Sequence, residues 1–405
     1  MRHARTIFAI TASAILLSLA TLALAGPLNP PAGPITSTGK TTQEIFDKAA
    51  AAEPRIAINA TNTPGDADSV YRISVSGSYY LSDNLIITAL NKHGIEIAAS
   101  NVTIDLNGFL LAGPLGAGFD GIRTSVAGLR SLEIRNGTIT GFGGDGIDFQ
   151  TFNTTGCIVR NIRSQGNGSA GMRIGIASTI IGCSANTNGS SGITASIVST
   201  ISDCTAYSNA SHGIQSLGNG TITGCTASSN GAFGFAINSN ATITGCTATD
   251  NGDIGISGDN STISNCTSSS NGGEGIAAST GSTVTGCTAN SNTLDGILVV
   301  SRCLLAGNTC SSNGVNPGDG AGIHVLGVDN RIEGNHCSDA DRGIDVDATG
   351  NIIIRNTCRG NTINWTIVSG NSYLVVFAPA TVGNFSGNAS GAGFGTTDPN
   401  ANFTY

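Results

Sequence analysis

Residues 234–251 read GFAINSNATITGCTATDN, and close variants of this phrase stand on either side of it. Its cysteine belongs to a series at 183, 204, 225, 246, 266 and 287, spaced by 21, 21, 21, 20 and 21 residues. Five places after each cysteine comes an asparagine: Asn188, Asn209, Asn230, Asn251, Asn271 and Asn292. Nine places after it comes a glycine followed by an apolar residue, as in Gly192-Ile193, Gly234-Phe235 and Gly296-Ile297. Three residue types held in phase at one period mean similar coils stacked on one another.

Within a coil the apolar residues alternate over short pieces, which is the period of a strand. One strand follows the glycine, a second surrounds Thr242-Ile243-Thr244, and a third opens with the cysteine. The alternation sends Ile243, the cysteine and the alanine two places later inward. Three short parallel strands per turn predict an all-β fold, a right-handed parallel β-helix. Gly-apolar pairs at 94, 121, 146, 171, 192, 213, 234, 255, 275, 296, 322 and 343 predict about 12 coils of ~21 residues, a rod on the order of 55 Å long. The asparagines form a turn ladder from Asn167 to Asn313 that returns at Asn361, each amide donating to one neighbour and accepting from the other. Asparagine also tolerates the left-handed backbone of a sharp turn. The cysteine column continues as Asn308, Asn335 and Asn356, with Asn161 opening it at the other end. Stacked Cβ atoms about 4.8 Å apart suit free thiols better than disulfides.

Residues 1–25 read as a secretory signal: Arg2 and Arg5, an apolar run, then Ala23-Leu24-Ala25. Residues 26–40 form a Pro-rich linker, and 41–93 a cap with the first strands. The cap opens with a helix over 41–53 that starts at the capping box Thr41-x-x-Glu44 and stops at Pro54. The β-helix occupies 94–375, and 376–405 is a C-terminal cap and tail. A secreted or cell-envelope location follows, with no membrane span in the mature chain. Without Arg2 and Arg5 the chain keeps 16 Lys and Arg against 26 acids. An acidic exterior excludes nucleic acid as a partner.

The phrase Asn101-Val-Thr-Ile-Asp-Leu-Asn-Gly108 resembles the opening coil of many secreted right-handed β-helix proteins. The Gly-Asn-x-Cys units at 307 and 334, and Arg355-Asn-x-Cys, resemble the NosD-like parallel β-helix repeat. The resemblance covers roughly residues 70–375 and extends to pectate lyases, polygalacturonases, alginate epimerases and tailspikes. It implies polysaccharide as the partner class, by analogy of fold. The catalytic signatures of those enzymes mostly fail here. No Asp-Asp pair, Arg-Ile-Lys or Asp-Pro-His occurs, Ser211-His212-Gly213 matches only part of a Gly-His-Gly motif, and no Lys or Arg stands between Arg173 and Arg302.

Two acidic patches remain. Asp120 and Asp145 precede glycines on successive coils and stack about 5 Å apart, a spacing that calls for a shared proton or a calcium ion. Arg123, Asp148 and Arg173 share an outward column there and read as an ion ladder. The second patch gathers His324, Asp339, Asp341, Arg342, Asp345 and Asp347 with Asp319. His324, Asp345 and Asp347 are the candidate catalytic residues, since carboxylates beside a histidine suit acid–base hydrolysis. Asp341 joins Asp120 and Asp145 as a candidate metal ligand. Two readings stand: a non-catalytic module touching polysaccharide, and a polysaccharide-active enzyme working through the C-terminal acids.

Overall fold

The computed structural model describes residues 54–116, 118–314, 320–373 and 399–404, the strand backbones Val375–Phe377 and Asn384–Ser386, and, upstream, Thr41, Thr42 and Glu44. The chain divides into two units, Met1–Pro54 and Arg55–Tyr405. In the first, the Thr41 amide donates to Glu44 Oε2 at 2.8 Å and the Glu44 amide to Thr41 Oγ1 at 3.1 Å, the two bonds of a capping box. The rest of the expected helix, the signal segment, the linker and most of the tail lie outside the described residues.

The second unit is a right-handed parallel β-helix. Its first sheet runs from Ser69–Ile73 to Asn384–Ser386 and holds 15 strands, so about fifteen turns replace the twelve expected. The three extra turns lack the Gly-apolar signature: Val70 stands where the glycine of the first strand would be, Asn364 where that of the fourteenth would be, and the fifteenth strand, Asn384–Ser386, contains no glycine. The second and third strands of each coil pair only with their counterparts one coil away. Near the N-terminal end those two sheets merge, because Leu132–Thr140 and Ile158–Gln165 run through the corner between them. Among the described residues no helix is long and apolar enough to cross a membrane.

Register stacks like on like. Ile201, Ile222, Ile243 and Ile263 line the second sheet, and Ala206, Ala227 and Ala248 the third, all fully buried. Each coil turns three corners, and each corner is entered by a residue with positive φ: Val198 (62°), Asp203 (54°) and Ser208 (53°) in one coil. Left-handed backbone thus falls one residue before the ladder asparagine, not upon it. The same one-residue offset moves Asn161, which sits opposite Gly182 in a left-handed position (φ 53°), while Ile162 stacks on Cys183.

The residue after each left-handed position points inward, here Ser199, Cys204 and Asn209. A corner amide turns away from the strand ladders and needs another acceptor. The stacked side chain of the next coil supplies it: Ser178 N donates to Ser199 Oγ at 3.3 Å, Cys183 N to Cys204 Sγ at 3.4 Å, and Asn188 N to Asn209 Oδ1 at 3.1 Å. From Cys183 to Cys225 the cysteine column is therefore an acceptor ladder as well as apolar filling. Asn308, Asn335 and Asn356 continue it with better acceptors, and Asn402 closes it. All eleven cysteines are buried and unpaired. Hydrogen bonding to the neighbouring thiol, with burial, pushes Cys204 and Cys225 up to about 12.

The turn ladder is the most complete of the three. Asn230 Nδ2 donates to Asn251 Oδ1 at 2.9 Å and to the Ala206 carbonyl at 3.2 Å. Its own Oδ1 accepts from Asn209 Nδ2 and N at 3.0 and 3.1 Å. The glycine column leaves room for these amides, since a Cβ on Gly213 would meet Asn230 Nδ2 at 2.6 Å. Asn230→Ala strands buried groups on both neighbouring coils and is expected to cost about 1–3 kcal/mol. Asn238→Ala, at an exposed site, should stay within about 0.5 kcal/mol. Equal losses by urea unfolding would contradict the ladder.

Candidate functional site

The outer face of the first sheet carries three columns per coil: the residue before the glycine, and those two and four places after it. In the N-terminal coils the middle column stacks Arg72, Glu96, Arg123, Asp148 and Arg173 in register. The ion ladder expected at Arg123–Asp148–Arg173 is displaced. Arg72 and Arg123 both pair with Glu96, at 2.7 and 3.7 Å. Asp148 instead caps its own loop, accepting from the Gln150 and Thr151 amides at 2.9 and 3.1 Å.

Asp120 and Asp145 stack as expected in the pre-glycine column, and backbone amides occupy an oxygen of each. Asp120 Oδ1 accepts from Asp145 N at 2.8 Å, and Asp145 Oδ1 from Ala170 N at 2.7 Å. Their remaining oxygens face His93 Nδ1 (3.3 Å) and Arg173 Nη1 (3.4 Å). Burial, and less strongly the charge of Asp120, raises the Asp145 carboxyl above its ordinary range.

The C-terminal coils repeat this geometry around a histidine. Asp295 precedes Gly296, so it occupies the same column as Asp120 and Asp145, and its Oδ1 accepts from Ala321 N at 2.7 Å. Its Oδ2 lies 2.9 Å from His324 Nδ1. The opposite ring nitrogen, Nε2, lies 3.1 Å from Asp347 Oδ2 and 4.0 Å from Asp345 Oδ2. His324 and Asp345 are register partners on adjacent strands, and Asp347 stands two places on. Asp345 Oδ2 also takes Arg342 Nη1 at 2.6 Å, yet its buried Oδ1 has no hydrogen-bond partner.

His324, Asp345 and Asp347 are thus brought together, while Asp120 and Asp145 sit far along the sheet. Asp341 lies beside Arg342 and is not in the group, and Asp339 serves a corner (φ 56°). Asp319 lies outside the described residues. Sequence reasoning missed Asp295, whose position before a glycine was the available signal. Beside the group, Glu274, Leu294, Asp295, Leu298, His324 and Leu326 line a shallow depression of ≈ 230 Å³. Asp345 and Asp347 do not line it.

Burial holds the His324 imidazolium down, but the bond and charge of Asp295, then Asp347 and Asp345, outweigh it and raise the pKa to about 9. Burial raises the Asp345 carboxyl, against the charges of Arg342 and His324. Burial likewise raises Glu274, helped by Asp295 and Asp253.

The family described as "right handed beta helix region" matches residues 178–313 and 253–388, together more than half of the chain. No curated protein matches the chain in sequence. Among solved structures, the A-module of the Azotobacter vinelandii mannuronan C-5 epimerase AlgE4 is 15% identical, with a TM-score of 0.47 over 85% of this chain and 93% of its own. A tailspike protein mutant of E. coli bacteriophage HK620 in complex with pentasaccharide is 13% identical, with a TM-score of 0.44 over 93% of this chain and 82% of its own. Tailspike protein 3 of bacteriophage CBA120 is 13% identical, with a TM-score of 0.43 over 91% and 71%.

A histidine whose folded pKa is raised adds stability that is complete below its unfolded value and is lost as pH climbs through the folded one. In chelator-treated protein the urea midpoint should therefore fall between about pH 6.5 and 9, and His324→Gln should flatten that fall. Identical profiles for the two proteins would contradict the network.

Proposed function

The chain belongs to the right-handed β-helix family, and on that premise we propose a secreted or cell-envelope module that contacts polysaccharide on the outer face of its first sheet without turning it over. The observation that carries this reading is the depression between Glu274 and His324. Leu294 and Leu326, 40% and 43% exposed, flank acidic acceptors there. Apolar sugar faces rest on such leucines, and sugar hydroxyls donate to such carboxylates. The acids repel polyuronates, so neutral or amino-sugar chains fit the surface better.

Three features support contact without turnover. Both nitrogens of His324 are already engaged by carboxylates. Its raised pKa keeps it protonated at neutral pH, so it is a poor general base. Asp345 is 1% exposed and does not line the depression. The second reading, a glycan-cleaving enzyme, draws on the closeness of Asp345 and Asp347 to the imidazole.

A glycan array followed by reducing-end and unsaturated-product assays on the hits separates the two. The expected result is binding without product, weakened about tenfold by the Leu294→Asp, Leu326→Asp double variant, a loss of about 1.4 kcal/mol. Product formation abolished by Asp345→Asn would establish the enzyme instead, and binding indifferent to the leucine pair would move the contact elsewhere.

A further inference from the structure

We propose that His324, Asp345 and Asp347 form the binding site of one divalent cation of the zinc or manganese class, with Asp295 orienting the imidazole from behind. One ligand atom from each residue lies within 4.8 Å of the others, a span that a single ion coordinates by drawing them together. The imidazole is presented as metal-binding histidines are. Its Nδ1 faces a carboxylate at 2.9 Å, and that carboxylate is itself fixed by the Ala321 amide at 2.7 Å. This fixes the ring and leaves Nε2 directed at the two aspartates.

The second observation is the unpartnered oxygen. Asp345 is 1% exposed, and its Oδ1 has no donor although Oδ2 is held by Arg342. A buried carboxylate oxygen without a partner is costly, and an ion beside it supplies what the protein leaves out. Charge points the same way. With the imidazole neutral, as a ligand must be, the carboxylates of Asp295, Asp345 and Asp347 outnumber the one guanidinium paired with them among the described residues, that of Arg342 on Asp345, and the excess negative charge suits a divalent ion.

Ligand type selects the ion. One imidazole nitrogen and two carboxylates suit zinc or manganese, whereas calcium takes six to eight oxygens. Asp120 and Asp145, the acidic pair nearer the N-terminal end, each give one oxygen to a backbone amide and have no third ligating side chain grouped with them among the described residues. Asp347 is 53% exposed, so the remaining coordination positions open to solvent, where water or a sugar hydroxyl completes the shell. The cation site stands whether or not this face binds glycan.

The test is calorimetric titration of chelator-stripped, full-length protein with Zn²⁺, repeated with Mn²⁺, which thiolates hold poorly. The expected result is one ion per chain, with affinity at least tenfold lower in His324→Gln and Asp345→Asn. Asp295→Asn should weaken binding by 10- to 100-fold, while the Asp120→Asn, Asp145→Asn double variant should bind as wild type does. Added Zn²⁺ should raise the melting temperature of wild type but not of His324→Gln, a comparison that stands even if Asp345→Asn folds poorly. Absence of saturable binding up to millimolar ion, or a His324→Gln protein that binds like wild type, overturns the site.

Discussion

Each coil leaves three corner amides that no strand ladder can accept. In one middle coil those amides are those of Ser178, Cys183 and Asn188, and each finds a stacked side chain one coil on. The rest of the molecule follows from that need. It places a polar or sulfur atom inside most corners, it demands in-register stacking so that the atom lies where the amide points, and it excludes a side chain at Gly213 and the glycines stacked with it. Apolar columns of isoleucine and alanine fill what remains. Hydrophobic burial is the larger energy, but it is indifferent to a slip of register among like residues. The corner ladders make the slip costly.

That register also assembles the acidic group on the first sheet. Asp295, His324 and Asp345 are distant in sequence yet occupy outward columns on three successive coils. A fixed coil spacing brings them within hydrogen-bonding reach without a loop having to close over them. The same geometry explains why the pre-glycine aspartates behave alike: each caps the amide of the same column on the following coil. Where the neighbour carries a histidine, as at His93 and His324, the free oxygen turns to it.

Legibility tracks periodicity. The coil period, the inward columns, the turn ladder, the glycine sheet and the grouping of His324 with Asp345 and Asp347 could all be read from spacing alone. Errors arose where one residue decides. Spacing cannot tell whether a corner is entered on the asparagine or before it, so the left-handed positions and Asn161 were each placed one residue off. Coils opening on Val70 or Asn364 hid because the glycine was the marker. Partner choice was illegible for another reason. Asp148 stacks between two arginines yet prefers nearby loop amides, a choice made by side-chain reach that column membership does not encode. Asp295 escaped notice because its column had been read as a property of Asp120 and Asp145.

If register is the controlling constraint, the β-helix should tolerate loss of a whole coil and reject loss of half of one. Deleting residues 213–233 removes 21 residues and joins His212 to Gly234, leaving every column in phase. Deleting 213–223 removes about half that length and throws the corner ladders out of phase. Urea unfolding followed by far-ultraviolet circular dichroism should show one cooperative transition for the 21-residue deletion, with the β signal retained, and no folded baseline for the shorter one. A shorter deletion that folds as well as the longer would contradict the account.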